Sequence, residues 1–186
     1  MSDRQSGIRS AKNLRLLRKL HRVTAVTLCG FFVVMAVTGI LLGMKKHCSL
    51  LQSETKTGIS SDAKGFLPID SLNHLAKIYL AEYVSPDLPD KTARIEIRPE
   101  KGVVKYIFAG HFTGLQIDAT NGRLLATETR TSDFVEMLHD GSIIDRVTGF
   151  GSGMFKLIYT AVMGVSLLLF VITGLLIRQR KRKGNP

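Results

Sequence analysis

Polar and apolar residues alternate along the chain in three regimes. Residues 23–43 and 157–177 are each a run of 21 residues without a charge. At about 1.5 Å of rise per residue, a helix of that length spans the roughly 30 Å hydrocarbon core of a bilayer. Lipid leaves no unpaired backbone group tolerable, so both runs are predicted as transmembrane helices despite their many β-branched residues. Between them, residues 44–65 are polar and rich in Ser, Thr, Gly and Lys, which predicts a linker.

The next 65 residues change period. Leu72, Leu75, Ala76, Tyr79, Leu80 and Tyr83 recur at helical spacing. Asp70 is placed to cap that helix, and Pro86 and Pro89 to end it. TARIEIR then alternates, with Ile95 and Ile97 expected inward. VVKYIFAG, LQIDAT and RLLATETR follow as strands, with a tight turn at Asn121-Gly122. One helix on an antiparallel meander makes residues 66–130 a small α+β unit. In FVEMLHDGSIIDR, Asp133 and Glu136 are spaced as a capping box, Phe134, Met137 and Leu138 form a stripe, and Asp140-Gly141 ends the helix. Residues 131–156 thus read as an amphipathic segment leading back to the membrane.

The net charge of +11 suggests nucleic acid only until it is located. Residues 1–22 hold seven Lys/Arg and one acid, and residues 178–186 hold five Lys/Arg and none, so the tails carry the whole excess. That is the pattern of membrane topology. Both tails are expected on the cytoplasmic side of the inner membrane, in contact with anionic lipid, and the middle domain outside it. No nucleic-acid partner is expected. The first apolar run is too long for a cleaved signal and lacks a small-x-small site, so it reads as a retained anchor. Cys29 and Cys48, nineteen residues apart, are too distant for a bridge.

Little in the chain suggests autonomous catalysis. HExxH, a phosphate loop and a dinucleotide glycine motif are all absent, and His139-Asp140 has no adjacent nucleophile. The helices offer more. Ala25, Cys29, Ala36, Gly39 and Gly43 lie along one side of the first, and Gly164 lies in the second. Small residues permit close helix approach in lipid, so Gly39, Gly43 and Gly164 are expected to pack helices in a homodimer or larger complex.

QIDATNGRLLA, at the centre of the meander, resembles the PepSY domain. LRKLHRVTAVTLCGFFVVMAVTGILLG, RTSDFVEMLHDGSIIDR and a glycine-containing helix ending in ITG are similar to the PepSY-associated transmembrane family, in particular its two-helix members. The resemblance implies two transmembrane helices flanking an extracytoplasmic PepSY-like domain. Larger members of the wider family are membrane electron-transfer proteins or ferric reductases that use helix-end histidines to hold haem b, which implies a role in electron transfer or ferric-siderophore metabolism. His21, His47 and His139 are then the candidate ligands. His21 and His139 lie a membrane thickness apart and cannot share one haem. His47 and His139 could, and His21 needs a second chain. PepSY domains also resemble inhibitory propeptide modules, which implies an alternative: a membrane-anchored module that engages an extracytoplasmic protein such as a peptidase.

Overall fold

The structure is a computed structural model that describes residues 2–149 and 153–183, with side chains over 12–149 and 153–180. Residues 1 and 184–186 of the basic tails and 150–152 of the juxtamembrane segment lie outside the described residues. The chain forms two compact units, residues 1–40 with 137–186, and residues 41–136.

The first unit is helical. Helix α1 runs from Ser2 to Met44 without a break, so the basic N-terminal stretch continues the first apolar run as one helix. Helix α5 spans Met154–Lys183. Within them, Lys12–Met44 and Met154–Arg180 are long and apolar enough to cross a membrane. Their large side chains are mostly exposed, Val26 at 74% and Leu168 at 64%, as lipid-facing residues would be. The start of α5 is fixed by a residue that no sequence pattern singled out. Asp145, buried in the short helix α4 (Ser142–Thr148), accepts from the amides of Phe155 and Lys156. Its carboxylate thereby serves two of the amides left unpaired at a helix start, where negative charge is also favoured.

The second unit holds a four-stranded antiparallel sheet in the order β1-β2-β3-β4. The strands are Thr92–Arg98, Val103–Phe108, Thr113–Asp118 and Leu124–Thr129. Helix α2, Ile69–Tyr83, lays Leu72, Ala76 and Leu80 on one face, against Val104, Tyr106, Phe108, Leu115, Ile117 and Ala119. This is the expected helix on a meander, with two differences. The helix is capped by Pro68, and Asp70 falls inside its first turn. Leu67 is already tied to the carbonyl of Ala119, and Pro68 at φ −54° is preset to begin a helix. Ile95 and Ile97 pair with Tyr106 and Val104 on the core face but stay 37% and 48% exposed. They lie on an edge strand that α2 does not cover.

Every residue of β2 is buried, so the other face of the sheet is covered too. The cover is the stretch expected as a linker. Gln116 donates to the carbonyl of Glu54 and accepts from the amide of Lys56, while Asp118 accepts from the amide of Ile59. Gly58 donates to the carbonyl of Lys101 at 2.8 Å. The approach is too close for a side chain: a Cβ on Gly58 would sit 2.4 Å from the carbonyl oxygen of Gly102. The segment is held by polar groups of the sheet, so it shows no apolar period to read.

That second face also buries charge. Lys105 bonds Glu128 at 3.1 Å, with side chains only 2% and 4% exposed. Gln116 donates to the same carboxylate at 2.7 Å, and Arg130 bridges Glu128 and Asp133. Glu96 joins through Arg94, Arg98 and Arg130. Burial works against the charge of Arg130, but its carboxylate neighbours, Asp133 foremost, raise its pKa above the ordinary value.

Candidate functional site: two histidine seats on the helix pair

Two histidines of the helical unit are held in the same way. His139 closes helix α3 (Thr131–His139), and Gly141 beyond it takes the left-handed conformation at φ 77°. The helix begins at Thr131 rather than at Asp133, because Arg130 draws the Asp133 carboxylate into a bidentate pair at 2.7 and 3.1 Å. No capping box forms. The ring of His139 lies over α1, where its Nδ1 is 2.9 Å from the hydroxyl oxygen of Thr38. His21, on α1, lies over α5, with its Nδ1 3.0 Å from the hydroxyl oxygen of Thr173.

The two threonines decide which nitrogen carries the proton. Thr38 donates to the carbonyl of Val34 at 2.6 Å, and Thr173 to the carbonyl of Leu169 at 2.6 Å. Each hydroxyl proton is therefore committed to its own helix, four residues back. The hydroxyl oxygen can only accept from the imidazole, so Nδ1 is the donor. In the neutral ring, Nε2 then keeps its lone pair. A ring fixed through Nδ1–H, with a bare Nε2, is in the form in which histidine binds a metal.

A glycine lies against each ring at ordinary contact distance. A Cβ on Gly39 would lie 3.5 Å from Cε1 of His139, and one on Gly174 would lie 3.4 Å from Cε1 of His21. The two Thr-Gly pairs, Thr38-Gly39 and Thr173-Gly174, are thus equivalent seats, one on each helix. Thr38 and Thr173 are 6% and 5% exposed, among the most buried residues of either helix. Gly39 thus lies beside His139. Gly43 has nothing within 4 Å of its Cβ position, and neither has Gly164.

Between the seats runs an apolar groove of about 650 Å³, lined in part by Ala25, Cys29, Phe32, Ala36, Gly164 and Phe170. His139 reaches its wall directly. His21 stacks on Phe170, with ring centroids 4.3 Å apart and planes at 15°. Seventeen residues of α1 separate His21 from Thr38, about 26 Å along the axis. The seats therefore stand near opposite ends of the span.

Beside the His139 seat, Asp140 pairs with Lys156 at 2.6 Å. Burial pushes the Asp140 carboxyl up, but hydrogen bonds from Lys156 and Ser142 outweigh it and hold the pKa below its ordinary value.

The remaining histidines have ordinary surroundings. His47 is exposed in the turn after α1 and belongs to the other compact unit. His74 is exposed on α2. His111 donates through Nε2 to the carbonyl of Pro89 and accepts at Nδ1 from the amide of Thr113, so both nitrogens serve a strand corner. Among the described residues, no three His, Cys, Asp or Glu side chains converge as a metal site.

The residues in contact with the two histidines, Thr38, Thr173, Gly174 and Phe170, were not singled out by composition or spacing. The signal present was the repeat of Thr-Gly near the end of each apolar run. Each seat offers one imidazole in an apolar setting, the kind of group that holds haem b without covalent links. No curated protein matches the chain. The model of the family described as the PepSY-associated TM region matches residues 3–181. With two membrane-length helices flanking a helix-and-meander domain, the chain belongs to that family and is a membrane protein of PepSY type.

Proposed function

We propose that the protein binds haem b at its two histidine seats and passes electrons along the membrane-spanning helices. The observation that carries this reading is the paired arrangement in which Nδ1 is fixed by a helix threonine and Nε2 meets no hydrogen-bond partner among the described residues. His21 is an ionisable side chain within a membrane-length helix, a placement that points to function. Bound haem supplies one-electron chemistry at its iron. The chain's own residues orient the imidazoles, place the proton of the neutral ring on Nδ1 and surround the site with apolar side chains that exclude water. Basic residues around His21, including Arg18, Lys19 and Arg22, place positive charge where carboxylate-bearing ligands meet the interface.

Two seats near opposite ends of the span suit transfer from one membrane face to the other. With the basic tails inside, the His21 seat faces the cytoplasm and the His139 seat faces outward. An acceptor such as a ferric chelate would then be reduced on the outer side. Purified protein supplemented with haem should give a reduced-minus-oxidised spectrum with b-type bands. A flat difference spectrum would remove the proposal.

A second reading attaches to the edge strand β1, which leaves Ile95 and Ile97 exposed on an unpaired edge. An extended peptide could add there as a fifth strand, the contact expected of a partner-binding module. Cross-linking from position 97 should then trap an extracytoplasmic protein, and a chain recovered alone would count against it.

A further inference from the structure

We infer that each seat is half of a ligand set, and that a second copy of this chain supplies the other half. The inference rests on the haem reading above and specifies its partner.

Each seat offers one imidazole. The helical unit contains only His21 and His139, and they are held about 26 Å apart along α1. A haem iron bound between two imidazoles needs both at one depth. Neither seat meets that need from within the unit.

Membrane insertion restricts what a second copy can bring. Two copies of one sequence insert with the same orientation, because the same basic tails face the same side. A cyclic pair of parallel copies has its two-fold axis along the membrane normal. Each residue then lies at the same depth as its own mate. His21 can meet only the partner's His21, and His139 only the partner's His139. Crossed pairing would need antiparallel copies.

The groove suits this arrangement. It opens between α1 and α5, and its lining includes the small residues Ala25, Cys29, Ala36 and Gly164 among larger apolar ones such as Phe32, Met163 and Leu167. Gly164 has open space at its Cβ position within a single chain. Small residues allow backbones to approach where no hydrophobic drive exists between helices. Two helix pairs facing across their grooves give a four-helix bundle, with ligands projecting inward from facing helices. The result is two haems per dimer, one at each end of the bundle.

The test uses two differently tagged copies produced together, one wild type and one carrying His139→Met. Complexes are purified through both tags in succession. Methionine opposite histidine raises the potential of a haem iron relative to two histidines. If ligands come from both copies, the doubly tagged complex holds a His–Met haem that wild-type dimers lack. It appears in the potentiometric titration as a component well above the wild-type potentials. His139→Ala in place of His139→Met should remove that component and leave the His21 haem intact. Failure to recover any doubly tagged complex overturns the inference. So does a doubly tagged complex in which half of the haem at the His139 end keeps the wild-type potential, since each haem would then be ligated within one chain. In both of those outcomes haem is still bound and the proposed function stands. A doubly tagged complex without haem overturns the proposed function and the ligand pairing together.

Discussion

Thr38 and Thr173 each do two things with one oxygen. The hydroxyl proton satisfies a carbonyl of its own helix, at 2.6 Å in both cases, and the lone pair fixes a histidine from another element. Valine keeps the shape and removes both functions. Thr38→Val should therefore free the His139 ring to rotate and change tautomer, and Thr173→Val should do the same to His21. Partners that orient a metal ligand are worth roughly 10–100-fold in affinity. The expected outcome for each variant is a loss of haem affinity in that range at one seat only, read by haem titration. Equal weakening of both seats by one variant would speak against independent seats. Tyr106 makes a separate prediction at this scale. Burial, and secondarily the charge of Asp70, push its phenol up to about 12. A raised folded pKa means that its contribution to stability is intact below pH 10 and lost as pH rises through about 12. Stability measured against pH should fall across that window, and Tyr106→Phe should flatten the fall.

At the scale of elements, the legible features were those written in periodicity. The two apolar runs, the stripe of α2 and the four strands all follow from spacing, because each buries one face or meets lipid. The features that were not legible are those fixed by single polar contacts. Asp145 starts α5 by accepting from two amides ten and eleven residues away. Residues 54–59 cover the sheet because Gln116 and Asp118 are buried beneath them. Nothing in a polar stretch announces which buried amide or carboxylate will hold it. Asp133 was misread for the same reason, since Arg130 competes for its carboxylate.

The buried Lys105–Glu128 pair shows how costly such contacts are to break. Glu128→Gln would leave the Lys105 ammonium buried without its counter-charge, and losing one partner of a buried pair typically costs about 3–5 kcal/mol. Thermal unfolding in detergent should show a large loss for Glu128→Gln. The double variant Lys105→Met with Glu128→Gln should recover part of it, because no unpaired ammonium remains. A double variant less stable than Glu128→Gln would mean that the ammonium is not the source of the loss.

At the scale of the molecule, the helix pair and the sheet domain are separate compact units. The sheet domain has its own apolar core and its own charge network, and the histidine seats lie wholly in the helical unit. The sequence located the histidines, but not the threonines they meet. His139 meets Thr38 across 101 residues, and His21 meets Thr173 across 152. Contacts of that separation become visible only in the folded chain. The central claim is that the two seats hold haem independently and equivalently. The most direct measurement is the amount of haem retained per chain in the wild type, in His21→Ala, in His139→Ala and in the double variant. Each single variant should keep about half of the wild-type haem, and the double variant none. Full retention in either single variant, or haem surviving in the double variant, would contradict it.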